Sequence, residues 1–213
     1  MKNNSRKEIV VSMSICLLPI LAGLYLYDRL PETIATHFGA NGEANGWSSR
    51  AFTVFGLPAF MAGINLLVWF ALHTDPKKKN MNPVLRAFAI WMAPALSVLM
   101  NAMTLGNALG YAMHIEIVVP LLVGLLFIVV GNYLPKTKQS YTMGLRLPWT
   151  LASEENWNRT HRIAGFLWVF GGAVTVLLTL LRIWSPWLIF ILITLLLVLV
   201  PTIYSFLLYK KGV

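Results

Sequence analysis

Two stretches of this 213-residue chain carry side chains whose types and spacing could do chemistry. The first runs Thr36-His37-Phe38-Gly39-Ala40-Asn41-Gly42-Glu43-Ala44-Asn45-Gly46-Trp47. Its Asn41-x-Glu43-x-Asn45-Gly46 spacing imitates the opening of an EF-hand calcium loop. The twelfth position, however, is Phe52 where a bidentate Glu is required, and Asn41 replaces the usual first Asp. His37 has no second His or Cys near it; such a lone loop His is structural, solvated or a pH sensor. The second stretch holds Glu154, Glu155 and His161, with Asn132 upstream. A carboxylate beside an imidazole is a potential acid–base pair. No HExxH, no DxxD-like pair and no nucleophile motif accompany it. The single cysteine, Cys16, sits in an apolar run, which rules out a disulfide framework and a Cys-rich metal centre. The expectation is no metal, no cofactor and no catalytic residue.

The elements that must position these residues are membrane helices. Hydrophobic residues make up 57% of the chain and charged residues only 12%, with a mean hydropathy of +0.68. Soluble domains carry about twice that share of charge. Apolar runs long enough to span a bilayer lie at 9–27, 52–73, 85–109, 115–134, 163–182 and 187–208. The N-terminal run follows Lys2, Arg6 and Lys7 as a signal peptide would. It has spanning length and no small-residue cleavage site before Asp28-Arg29-Leu30-Pro31, so it reads as an uncleaved first span.

Orientation follows from the loops. Lys2, Arg6, Lys7, Lys77, Lys78, Lys79, Arg86, Lys136, Lys138, Arg146, Arg159, Arg162, Lys210 and Lys211 fall on one side; Arg29, Arg50 and Arg182 fall on the other. The richer side is cytoplasmic. Both termini are then cytoplasmic, segment 28–51 faces outward and segment 135–162 faces inward. The net charge of +9 is a topology signal and not a nucleic-acid footprint. The fold class is an all-α, polytopic integral membrane protein of about six transmembrane helices with both termini cytoplasmic.

Within the outer segment, Pro31 followed by Glu32 predicts a short helix over about 31–38. Turns at Asn41-Gly42 and Asn45-Gly46 then return the chain to Trp47, as a membrane-interface anchor or a binding residue. In the inner segment, Ser153 before Glu154 and Glu155 predicts a helix N-cap and a helix continuing into the fifth span. Trp157, His161, Gly165 and Trp168 then share one face. Arg146, Arg159 and Arg162 are placed to meet lipid phosphates or to pair with the two glutamates. Asn65 and Asn101 predict interhelical hydrogen bonds. Glu116 starts the fourth span at its outer edge and no other acid lies inside any apolar run, so the ionisable chain of a proton pump is missing.

Leu30-Pro31…His37-Phe38…Gly42…Gly46-Trp47 resembles the opening motif of a widespread bacterial membrane domain of unknown function. Gly131-Asn132-Tyr133-Leu134-Pro135-Lys136, Gly144-Leu145-Arg146-Leu147-Pro148-Trp149-Thr150-Leu151 and Trp157-Asn158-Arg159-Thr160-His161-Arg162 together resemble the signature of the SdpI family. Ser140 and Leu147 depart from that pattern, where Asn and a small polar residue are expected. The resemblance covers nearly the whole chain and implies a non-enzymatic membrane immunity protein that protects its producer from a secreted peptide toxin. It also implies a signalling role, in which a cytoplasmic repressor is held at the membrane. The implied toxin-facing residues are Pro31, His37, Phe38, Gly42, Gly46 and Trp47. The implied cytoplasmic signature residues are Asn132, Pro135, Lys136, Gly144, Arg146, Pro148, Trp149, Trp157, Thr160 and His161. On this reading residues 1–75 form a two-helix unit with its outward loop, and 76–213 a four-helix unit with cytoplasmic loop 135–162. A small permease, which would need a partner or an ion gradient because no ATP-binding motif exists, and an interfacial enzyme are the alternatives.

Overall fold

In a computed structural model, residues 2–39, 42–182 and 186–213 are described. Among them, eight α-helices and one hairpin follow in the order α1 (Lys2–Leu17), α2 (Pro19–Leu26), β1 (Thr33–Phe38), β2 (Ala44–Ser49), α3 (Leu57–Thr74), α4 (Pro83–Ala108), α5 (Ile115–Tyr133), α6 (Pro148–Ala152), α7 (Glu154–Leu180) and α8 (Pro186–Lys210). Among the described residues six helical stretches are long and apolar enough to cross a membrane: Arg6–Arg29, Phe52–Thr74, Pro83–Ala108, Ile115–Lys136, Glu154–Leu180 and Phe190–Lys210. The all-α membrane architecture predicted from hydropathy is borne out. The chain divides into two compact units, one of Met1–His73 with Ala87–Ile115, the other of Thr74–Arg86 with Glu116–Val213.

The first unit departs from expectation in its outer segment. Residues 33–38 form a strand, not a helix, and pair antiparallel with 44–49. The physical reason is local: Thr33, Ile34 and Thr36 are β-branched and favour extended backbone, and Leu30 is already extended before Pro31 (ψ 141°). Gly42 adopts φ +80° in the connection, as a turn glycine should; Asn41 lies outside the described residues. Asn45-Gly46 does not turn the chain. It lies inside β2, where the ladder is irregular around Thr36 and Asn45. Gly46 is needed for closeness, since a Cβ there would stand 2.9 Å from the His37 Cβ.

Ile34 drives the hairpin onto the membrane helices by packing with Leu30, Val54 and Leu105. Arg50 closes its base, donating from its backbone N–H to the Glu32 carbonyl (2.8 Å) and from Nη1 to the Tyr27 carbonyl (3.0 Å). Deeper in the same unit, Cys16 packs with Ala62 and Ala93. Asn65 Nδ2 donates to Ser12 Oγ across helices (2.7 Å), as expected. Asn101, expected to bond between helices, bonds within its own among the described residues: its Nδ2 donates to Ser97 O of α4 (2.8 Å). An amide four residues past a carbonyl has a nearer acceptor than the next helix supplies.

In the second unit α5 and α7 meet backbone to backbone. A Cβ on Gly172 would stand 2.5 Å from Gly124 O, and one on Gly131 would stand 2.9 Å from Gly165 O. Small residues permit such close approach between membrane helices. Phe127 meets Trp168 edge-on, ring centroids 5.2 Å apart. Pro201 inside α8 has no N–H, so the carbonyl four residues earlier, Leu197 O, loses its helical donor. The Trp168 indole N–H supplies the missing bond at 3.0 Å.

Candidate functional site

Segment 135–162 of the second unit is an ordered polar assembly. Ser153 caps α7, its Oγ accepting from the Asn156 N–H (3.2 Å), and the helix runs unbroken into the fifth span as predicted. That phase places Trp157 and His161 one above the other, with rings stacked at 4.0 Å. The His161 Nδ1–H donates to the Trp157 carbonyl (2.8 Å), which leaves Nε2 as an acceptor, and it accepts the Leu145 N–H (2.9 Å). The Trp157 indole donates to Thr137 O (2.8 Å). One stacked pair on α7 thereby holds both ends of the 137–145 loop.

Gly144 sits where the loop passes over this pair, at φ +93°. A Cβ there would stand 2.5 Å from His161 Nε2 and 2.8 Å from the Trp157 ring, so both conformation and space require glycine. Thr150, fully buried, accepts the Leu147 N–H (2.9 Å) and starts α6 behind Pro148. Trp149 on α6 packs against Phe206 and Tyr209 of α8. Asn156 ties α7 to the end of α8: its Nδ2 donates to Ser205 O (3.0 Å), and its Oδ1 accepts from Ser205 Oγ (2.6 Å) and Thr160 Oγ1 (3.1 Å).

A second carboxylate-centred network holds the same loop to the segment after α3. Asp75, only 4% exposed, accepts from the Lys77 N–H (2.6 Å), Ser140 Oγ (2.9 Å) and Thr142 Oγ1 (2.6 Å). Burial pushes its carboxyl upward, but the donors from Thr142, Ser140 and Lys77 outweigh that and hold it below its ordinary value. Gln139 completes the join, accepting from Lys77 Nζ (2.9 Å) and donating to Thr150 O (2.9 Å), while Asn80 Nδ2 donates to the Gln139 carbonyl (3.0 Å).

The structure therefore sorts the predicted inner residues. Gly144, Trp157, Thr160 and His161 are brought together as the scaffold of the loop. His161, 1% exposed with both ring nitrogens bonded to backbone, has no nitrogen left for a substrate. Pro135 packs against Gly165, and Lys136 lies over the Tyr133 ring. Asn132, Lys136, Arg146 and Pro148 are exposed on the outside of the assembly. Arg159 pairs with Glu155 on the exposed face of α7, an arrangement of small energetic worth.

Sequence reasoning missed Asp75, Gln139 and Asn156. A signal existed for the first: Asp75 is the sole acid between Glu43 and Glu116 and stands directly at the end of a span.

The outer residues take a different arrangement. His37 is exposed and bonds Asn45 Oδ1 through Nδ1, Thr36 bonds Ser48 across the strands (2.9 Å), and Phe38 is half-buried opposite Ala44. Pro31 is exposed before β1, and Trp47 is 62% exposed. Among the described residues no group of three or more His, Cys, Asp or Glu could hold a metal ion.

The sequence matches the SdpI/YfhL protein family over residues 136–205 and a domain of unknown function (DUF1648) over residues 14–62. It is 31% identical over 205 residues to a protein of Bacillus subtilis (strain 168) named Immunity protein SdpI, covering 96% of this chain and 97% of that one. No solved structure matches the chain.

Proposed function

The chain belongs to the SdpI/YfhL protein family, and on that premise we propose that it is a multi-pass membrane immunity protein protecting its cell from a secreted peptide toxin. The observation that carries this reading is the end-to-end likeness to an immunity protein, which includes both the hairpin segment and the cytoplasmic loop. A toxin arriving from outside meets the hairpin, where His37 and Trp47 stand exposed on a two-stranded frame held by Ile34 and Arg50. Pro31, Phe38, Gly42 and Gly46 shape that frame. A soluble repressor meets the cytoplasmic loop, through the exposed Asn132, Lys136 and Pro148. Toxin contact favours one packing of the helices over another, and the repressor reads the difference.

Survival of a cell that lacks its own immunity protein tests the first step. Challenged with the sporulation-delaying peptide toxin, cells expressing this chain survive, and Trp47→Ala reduces survival at equal membrane abundance. Death at the rate of the empty-vector control overturns the proposal. The repressor step fails separately if replacing 135–162 leaves toxin-dependent recruitment of the repressor intact.

A further inference from the structure

Two cations contact one exposed residue of the loop, one at its ring and one at its backbone carbonyl, with no carboxylate paired to either. Lys77 Nζ lies 5.4 Å from the centroid of the Tyr141 ring, and Arg146 Nη1 donates to the Tyr141 carbonyl at 2.8 Å. Tyr141 itself is 49% exposed. The partners that hold these cations are all uncharged: Gln139 Oε1 for Lys77, a backbone carbonyl for Arg146. The one acid nearby, Asp75, is turned inward and spends its oxygens on Ser140, Thr142 and the Lys77 backbone N–H. No other acid occurs in residues 76–115 or 117–153, and among the described residues neither Lys77 nor Arg146 pairs with a carboxylate.

Each cation is held at Tyr141 by uncharged partners alone, so neither charge is neutralised there. The geometry points to an anion site at Tyr141, and we propose that Lys77, Arg146 and the Tyr141 side chain seat a phosphate ester, in the first instance the phosphodiester of an anionic lipid. The chemistry fits: a guanidinium fork and an ammonium are the two side chains that bind phosphate oxygens best. The position fits as well. Lys77 follows shortly after the end of α3 at Thr74, and Tyr141 follows the turn Leu134–Lys136 that ends the fourth span. Both therefore lie at headgroup depth on the cation-rich side, where anionic lipid is concentrated. A seated phosphodiester would neutralise the cation pair and tie the loop to the bilayer surface, independently of any toxin.

Native mass spectrometry of the full chain in detergent, titrated with dioleoyl-phosphatidylglycerol, tests the site. The expected result is one tightly retained phosphatidylglycerol that the double variant Lys77→Gln/Arg146→Gln binds at least fivefold more weakly. Lys210→Gln/Lys211→Gln, with the same change in charge, should bind it within twofold of the parent chain. Equal loss in both double variants, or no loss in the first, overturns the proposal. Phosphatidylcholine is the zwitterionic control, and equal retention of it also overturns the proposal. Glycerol 3-phosphate distinguishes the source: competition at comparable concentration assigns the site to soluble phosphate esters, and no competition assigns it to lipid. Should the double variant not fold, Arg146→Gln alone, altering an exposed side chain, must still weaken phosphatidylglycerol binding at least twofold.

Discussion

Gly144 passes so close over His161 that a single methyl group at its α-carbon would stand 2.5 Å from the imidazole Nε2. The contact links a backbone position in the loop to a side chain on α7. It explains why a glycine and a histidine 17 residues apart belong to one structural feature.

Gly144→Ala should destabilise the loop by about 1–3 kcal/mol, through positive φ and the clash together. Gly110→Ala is the control, because Gly110 has a similar φ of +88° and nothing within 4 Å of its missing Cβ. Thermal unfolding in one detergent should rank Gly144→Ala clearly below Gly110→Ala. Equal melting temperatures would mean that the crowding over His161 contributes nothing.

Trp157→Phe removes the donor to Thr137 O, and His161→Ala removes the acceptor of the Leu145 N–H. The first leaves a buried carbonyl unpaired and the second a half-buried N–H, at about 1–3 kcal/mol for a fully buried group and less for the other. Because the two rings stack and hold one loop, the double variant should lose less than the sum of the single losses. Strict additivity in a double-mutant cycle would contradict a shared clamp.

Asp75 makes the loop sensitive to acid. Its carboxyl is held below the ordinary value of 3.8, so its contribution is fully present above that value and is lost as pH falls through the depressed one. Protease nicking of the 137–143 segment should rise only at strongly acidic pH in the parent chain. In Asp75→Asn nicking should be high and nearly independent of pH, since the amide cannot accept all three donors. A parent profile with its midpoint near neutrality would exclude Asp75 as the controlling group.

Trp168→Phe should cost about 0.6–1 kcal/mol, the usual range for such bonds between membrane helices. In a Pro201→Ala background the new backbone N–H can serve Leu197 O, and the same substitution should then cost measurably less. An unchanged cost would show that the indole bond does not answer the proline.

How far the sequence disclosed all this depends on the range of the forces involved. Spans such as 52–73 and 163–182 were legible because bilayer crossing is decided by a continuous apolar run. The Ser153 cap was legible because capping is local. The hairpin was misread: Pro31-Glu32 is a sound helix-start signal, but the β-branched Thr33, Ile34 and Thr36, with Ile34 buried against Leu105, outweighed it. The signature residues of 131–162 were found, yet their division into a buried scaffold and an exposed rim depended on contacts with Asp75 and Ser205, far away in sequence. Asn156 carried no local mark at all. Its bonds to Ser205 become visible only when α8 returns beside α7.

The glycine contacts between α5 and α7 bear on motion. Where Gly124 faces Gly172 and Gly131 faces Gly165, each glycine leaves no room for even a methyl group, and the facing carbonyl oxygens stand 2.5–3.0 Å from where a Cβ would be. Sliding or twisting one helix against the other would drive carbonyl oxygens into α-carbons at both crossing points at once. The pair is then expected to move as one, and any rearrangement inside this unit falls on parts of it that are not held in this way.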